Sequence, residues 1–384
     1  MEYKINVGKI IFALTITALC QPLGAYGVPI AHDLYSLGKI LALIYATYLI
    51  LTKRVRLDRF IVSVLALLTF LLVPTFVNSG DIRVWFMQFY LYGSTCIILQ
   101  FWIRKDMHYT VKCIASVLSM ILLVNLITFF QNGIDYAENS EASISYLIGI
   151  RTRIGDIAYL AYAVSLFGLL ISKRKKLQLY VPISIFSSLY FIIINRVSTS
   201  LLCTVVFAIV IILSLKFVKV IKRSIFIVFL GSILTSVLII FTKIQNKFSW
   251  LIEDILHESL TLNGRTFIWD SVLAQMPGYW GIGHGLGVEK SFNILIGYTT
   301  GTHNQFMDIL FNGGIIGLAL FINMVYAAIT KLQNTTEKMA ISILSSAIVA
   351  YSISMISEVM SSSVYFYILL TLCANAQYIK RNTK

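Results

Sequence analysis

Residues 198–242 read STSLLCTVVFAIVIILSLKFVKVIKRSIFIVFLGSILTSVLIIFT, two apolar runs flanking the cluster Lys216, Lys219, Lys222 and Arg223. A helix needs about 20 apolar residues to cross a bilayer, where every backbone polar group must be satisfied within the helix itself. The stretch therefore reads as two membrane spans, 198–218 and 224–242, joined by a short basic turn. The pattern repeats in both directions. Spans are expected at 8–24, 35–52, 60–77, 84–103, 110–130, 155–172 and 178–195 on the N-terminal side, and at 305–330, 338–357 and 361–379 on the C-terminal side. The fold class is all-α, a polytopic membrane protein of about twelve transmembrane helices. It forms a single integral membrane domain over 1–384. The 384 residues are 58% hydrophobic and 12% charged, with a mean hydropathy of +0.82. A soluble domain carries about 25% charge, so an ordinary cytosolic enzyme, a disordered chain and a small disulfide scaffold are excluded.

The net charge of +14 would suit a nucleic-acid binder if the charges were spread over one surface. They are not. With the N-terminus placed in the cytoplasm, 22 of the 31 basic residues fall in the inner segments, eight in the outer ones and Lys39 inside a span. Most acids lie outside. This asymmetry is a topology signal; it puts both termini in the cytoplasm and removes the nucleic-acid reading. Lys4 and Lys9 precede the first apolar run with no small-residue cleavage site after it, so that run is expected to be retained. The five cysteines are far apart within apolar runs and read as buried small hydrophobes.

Every inner loop is short, so the chemistry is expected on the outer side. Two outer segments are long, 131–154 and 243–304, and long loops in compact proteins are usually functional. In the larger, Phe248, Leu251, Ile252, Ile255 and Leu256 line one helical face and Glu253, Asp254, His257 and Glu258 the other, predicting a helix on the membrane surface. Leu262-Asn263-Gly264 is a turn signal. A short helix from Arg265 to Met276 follows, closed by Pro277-Gly278, then a glycine run from Gly281 to Gly287 and Thr302-His303-Asn304 at the start of the tenth span.

Ionisable groups at membrane depth are costly and mark function by default. Lys39 is one, with snorkelling as its simpler reading; the others gather at the outer boundary. Arg196 sits between two apolar runs with almost no loop, where a guanidinium needs an anion such as a phosphate or diphosphate. The hydroxyls of Ser198 to Ser200 are positioned to cap the next helix beside it. Arg265 opens a helix, against the macrodipole, so something else is expected to hold it. Arg151 and Arg153 flank Thr152 before the sixth span and suit the same anion or a lipid phosphate. His303 is expected at the N-terminus of the tenth span with Thr302 as cap. The helix dipole there would lower its pKa, leaving a neutral imidazole as general base. Asn304 and Asp308 are near enough in sequence to orient it. Each has a plainer reading as a headgroup-facing, solvated or capping residue.

The glycine run, with Gly281 and His284, lacks a following Lys-Ser/Thr and any βαβ context, so it is no nucleotide site. It suits a backbone turn or a close approach to a glycan. Gly313 and Gly317 form a G-x-x-x-G that reads as close helix packing. His284, His303 and Asp308 lack metal-ligand spacing, so no metal and no cofactor are expected.

Taken together, Asn263-Gly264-Arg265-Thr266-Phe267-Ile268-Trp269, Pro277, Gly281-Ile282-Gly283, His303-Asn304-Gln305-Phe306 and Gly313 to Gly317 resemble the large periplasmic-loop signature of the bacterial O-antigen polymerase (Wzy-type) and O-antigen ligase superfamily. The spacing of Arg265 and Gly281 fits an arginine–glycine motif of some polymerases, and Asn195-Arg196-Val197-Ser198-Thr199 resembles the family's other arginine motif. The resemblance implies a C-type glycosyltransferase (GT-C) architecture in the bacterial inner membrane, catalysing inverting, metal-independent transfer between lipid-linked sugars. The implied partners are undecaprenyl-diphosphate-linked oligosaccharide donor and acceptor, membrane lipid, and a chain-length regulator protein as a candidate. By carry-over, Arg196 and Arg265 hold the diphosphate and His303 activates the acceptor hydroxyl. Arg153, Arg151, Asn304, Trp269, Gly281 and His284 are the candidate substrate-binding residues. A repeat-unit polymerase is the leading expectation and a ligase to lipid A core the runner-up. A lipid-oligosaccharide flippase would instead show internal repeats and paired broken helices near the midplane, and a non-catalytic scaffold would need none of these residues.

Overall fold

The computed structural model describes residues 6–131, 146–171, 178–250, 264–288 and 301–378. The expected surface helix, the Asn263 turn and most of the smaller outer loop lie outside the described residues. Among those described, regular structure is helical, and the one extended pairing is an isolated bridge between Tyr146 and Gly149. The helices are α1 (Val7–Leu19), α2 (Pro29–Leu51), α3 (Arg59–Phe70), α4 (Leu72–Val77), α5 (Ile82–Phe130), α6 (Ile154–Ile171), α7 (Tyr180–Ile194), α8 (Ser198–Thr242), α9 (Arg265–Gln275), α10 (Gln305–Gln333), α11 (Lys338–Ser354) and α12 (Val364–Ala374). Among the described residues, six helical stretches are long and apolar enough to cross a membrane, α3 and α4 together forming one of them. The chain is a multi-pass, all-helical membrane protein. Starts are set by local chemistry. Asn6, Asp58, Asp81, Asn304 and Ser363 each accept a backbone N–H as N-caps, and Pro29 occupies the first turn of α2.

The breaks expected within 104–109 and 219–223 are not loops. Each pair of spans is two helices that meet at a kink without an intervening loop, at Asp106 in α5 and at Phe217 in α8. At about 1.5 Å per residue such helices would far exceed a bilayer if straight, and contacts show α8 doubling back. Near its start, Thr199 meets Ser357 (3.5 Å); near its end, Ser236 accepts from Asn304, which also donates to the Ile356 carbonyl. Its middle lies at the far end of α11, where Gln333 donates to the Lys222 carbonyl and Lys222 to that of Thr335. Likewise α5 has Asp81 against Leu286 and Asn125 against Ile148 at its two ends, while Arg104 and Asp106 reach Asp58 and Lys9 at its middle. One end of the bundle is thus basic: Asp58 accepts from Gln100, Arg104 and Lys331, tying α3, α5 and α10. The opposite end carries α9, the glycine run and the turn between α11 and α12.

The glycine run packs into α10. At Gly314 the helix adopts φ +61° and ψ −162°, and two i→i−4 bonds are lost. Only glycine reaches that conformation without strain. The run replaces both bonds. Ile315 and Ile316 N–H donate to the carbonyls of Trp280 and Gly281 (2.8 and 3.2 Å), and the freed carbonyls of Phe311 and Asn312 accept from His284 and Gly285 N–H (2.7 and 2.9 Å). The close approach foreseen for these glycines is therefore to the chain's own backbone: a Cβ on Gly283 would sit 2.5 Å from Gly313 N. Gly313 also lies against Phe70 of α3 and Leu71 just after it, so the helix-packing reading of the G-x-x-x-G holds at that position.

Candidate functional site

The site is built where three chain reversals meet. Gly264, at φ +82°, turns the chain into α9 without a side-chain cap. Arg265 then projects to the turn between α11 and α12, where its Nη2 lies 3.0 Å from Oε1 of Glu358. This carboxylate is the partner that the helix-opening arginine required. Glu358 is 7% exposed. Burial pushes its carboxyl up to about 7, against the lowering pull of Arg265, because a low dielectric disfavours the charged form.

His303 stands one residue before the Asn304 cap, at φ +50°. That left-handed conformation is strained for a side chain other than glycine. Its neighbours hold it there. Thr302 accepts the Trp269 indole N–H at its carbonyl (2.9 Å) and donates its hydroxyl to the Asn304 carbonyl. The Asn304 side chain accepts from Phe306 and Met307 N–H and donates to Ser236 and Ile356. Gln305 and Ser361 exchange two bonds of 2.7 Å. The cap is thus Asn304 and not Thr302, and the amide expected to orient the imidazole is committed to the backbone and to Ser236. Burial lowers the His303 pKa to about 4, helped by the positive charges of Arg265 and then Arg153. Both causes disfavour the imidazolium. The imidazole is neutral at pH 7, with burial and two arginines as the cause where the helix dipole had been expected.

Arg153 completes the cluster. Its Nη1 lies 3.4 Å from Asp156, and the charges of Glu358 and Asp308 also bear on it. It lines two cavities. One, of about 130 Å³, also exposes Gln88, Asp308, Asn312 and Ser361. The other, of about 240 Å³, runs toward Lys39. Arg153, Arg265, His303 and Glu358 thus sense one another's charge, giving two guanidinium groups, an imidazole and a carboxylate at one end of the bundle. Such a set can hold a diphosphate and receive a proton.

The other candidates are placed apart from this contact set. Arg196 is exposed at φ +50°, and Arg151 is exposed and donates to the Asn195 carbonyl (3.3 Å). The next helix starts at Ser198 with Val197 as its N-cap residue and no side-chain cap, contrary to the expected hydroxyl cap, although Thr199 reaches Ser357 beside Glu358. Trp269 is 1% exposed and packs with Val272, Met276, Met307 and Phe311. His284 is stacked between Tyr279 and Phe311 (3.9 and 4.5 Å), with Nε2 3.1 Å from the Gln275 carbonyl. Trp269 and Asn304 brace the segment that presents His303, while His284 fixes the glycine run to α9 and α10. Gly281 is open, nothing lying within 4 Å of where its Cβ would be.

Sequence reasoning missed Glu358 and Asp156. The signal was present: Glu358 is an ion wedged between the apolar runs 338–357 and 361–379, the same feature that singled out Arg196. Asp156 is buried in the first turn of α6, whose backbone carbonyl at that residue accepts from the Tyr351 hydroxyl (2.5 Å).

Residues 183–322 match the Wzy_C family model, described as O-antigen ligase. The matched stretch holds Arg196, Arg265 and His303, while Arg153 and Glu358 reach the cluster from outside it. A comparison with curated proteins gave no match. The match makes this stretch, a little over a third of the chain, similar to the O-antigen ligase family.

Proposed function

We propose that the chain is a polymerase of lipid-linked polysaccharide repeat units, for O-antigen or for capsule or exopolysaccharide. It transfers the growing glycan from undecaprenyl diphosphate to the next lipid-linked repeat. The acceptor hydroxyl attacks the anomeric carbon of the donor sugar, forming the new glycosidic bond. The bond from that carbon to the diphosphate oxygen breaks, and the lipid diphosphate leaves with the electron pair. Arg265 and Arg153 stabilise the departing charge, as preorganised cations do best. Arg196 extends the anion site as the substrate enters. His303, neutral at pH 7, takes the hydroxyl proton. Glu358 holds Arg265 until the diphosphate displaces it. The observation that carries this reading is the meeting of Arg153, Arg265, His303 and Glu358 beside a cavity at one end of a membrane bundle.

In this reading the chain forms one membrane domain of twelve spans with GT-C architecture, α5 and α8 each supplying two. It lies in the inner membrane with both termini cytoplasmic. The test is purified protein with a defined lipid-linked repeat. A ladder of products on the diphosphate lipid supports the polymerase; unchanged repeat units refute it. The runner-up is a ligase to lipid A core, favoured by the description of the matching family. In a strain lacking the gene, single-repeat caps mark a lost polymerase and intact polymer on undecaprenyl diphosphate a lost ligase.

A further inference from the structure

The cavity on the other side of Arg153 is lined by a cation, Lys39, that pairs with no carboxylate among the described residues. Lys39 lies mid-way along α2 and is 6% exposed. Its ammonium donates to Gln21 Oε1 and to the Tyr26 hydroxyl (3.2 Å), both neutral, and it forms no ion pair among the described residues. A buried charge is costly unless paired. Snorkelling would bring the ammonium to water, and a structural lysine would meet a carboxylate. Lys39 does neither.

The donors around it are unspent. An ammonium can only donate, so the Gln21 amide must present its oxygen to Lys39 and its nitrogen elsewhere. That nitrogen is buried and has no partner among the described residues. The Tyr26 hydroxyl, accepting from Lys39, keeps its own hydrogen to give. These groups face the cavity of about 240 Å³ whose far wall is Arg153, paired with Asp156, and Ser363. The cavity wall carries two cations against one carboxylate, with at least two amide hydrogens and a hydroxyl hydrogen unclaimed.

We propose that this cavity is a second anion site, binding the phosphate or diphosphate of a polyprenyl lipid through Lys39, Gln21 and Tyr26. It rests on the transferase reading only in assigning the occupant: transfer between two lipid-linked glycans needs two headgroup sites, and Arg153 is the wall they share. The Arg265 side takes one headgroup and the Lys39 side the other, with Arg153 between them.

The test uses the full-length protein in phosphatidylcholine nanodiscs, titrated with undecaprenyl diphosphate, undecaprenyl phosphate or phosphatidylglycerol and read by native mass spectrometry. Two equivalents of undecaprenyl diphosphate are expected for the wild type and for Lys39→Arg, and one for Lys39→Met. Gln21→Glu supplies the missing carboxylate in place, so it should lose the same equivalent while keeping or raising the thermal midpoint. This variant guards against misfolding of Lys39→Met. Wild-type stoichiometry and affinity in Gln21→Glu would overturn the site, as would equal displacement by phosphatidylglycerol. If undecaprenyl phosphate fills the site as well as the diphosphate does, one phosphate suffices, and the site stands. If Arg265→Ala binds as wild type while Gln21→Glu loses one equivalent, the Lys39 site stands and the transferase reading falls.

Discussion

Arg265, the first residue of α9, places Nη2 3.0 Å from Oε1 of Glu358 in the turn between α11 and α12, 93 residues later. Both side chains are largely buried. One ion pair therefore ties the start of α9 to the turn between α11 and α12 and brings the guanidinium near enough to His303 for its charge to act on the imidazole.

Removing one partner strands the other. Arg265→Ala leaves a buried carboxylate and is expected to cost about 3–5 kcal/mol. Arg265→Ala combined with Glu358→Ala should recover part of the thermal midpoint in detergent and none of the polymer. Arg265→Lys should rescue activity poorly, because a point charge cannot replace the bidentate fork. Recovery of polymer in the double variant would remove Arg265 from the chemistry.

The two titrating groups of the cluster oppose each other. Glu358 holds its proton more tightly in the folded chain, so between 4.5 and about 7 its contribution to stability falls as pH rises. His303 holds its proton less tightly when folded, so between about 4 and 6.5 its contribution rises with pH. Both signs follow from which state binds more protons. The shifts are similar in size and nearly cancel across the shared window. Thermal midpoints measured against pH should show added stability with rising pH in Glu358→Gln, and loss with rising pH in His303→Gln. A matching slope in the two variants would show that neither group is shifted as described.

The break in α10 makes a sharp distinction between glycines. Gly283→Ala puts a Cβ 2.5 Å from the Gly313 and Gly314 amides at φ +76°. It should lower stability by about 1–3 kcal/mol. Gly281→Ala meets open space and should leave the melting temperature unchanged. A drop in activity at unchanged stability in Gly281→Ala would place substrate against that residue.

His303 is presented by its neighbours. Trp269→Phe keeps the ring and removes the N–H donated to the Thr302 carbonyl. The buried acceptor left behind costs about 1–3 kcal/mol. Asn304→Ala removes the side-chain cap of α10. Loss of such a cap costs about 1 kcal/mol. Both should lower kcat more than they raise KM, because they displace the base and leave the arginines in place. An unchanged kcat would detach His303 from proton transfer.

Much of this was legible in the chain. Apolar run length, with few carboxylates within the runs, dictates helices in a bilayer, and residues such as Arg265 and His303 stand out because ions beside apolar runs are costly. Both signals are local. What needed the tertiary structure was every pairing across long sequence separation. Glu358 reaches Arg265, and Arg153 acts on His303, because α6 and the α11–α12 turn converge on α9. The intramolecular partners of Trp269, Asn304 and His284, too, became visible only in the packed fold. The breaks expected within 104–109 and 219–223 became kinks at Asp106 and Phe217; the basic residues beside them marked each break in the chain, and only the structure decided that one non-helical residue replaces a loop. The glycine run was read as a turn or a close approach to a glycan, yet it completes the hydrogen bonds of a broken helix: glycine in a sequence states that backbone can come close, and only the packed fold decides to what.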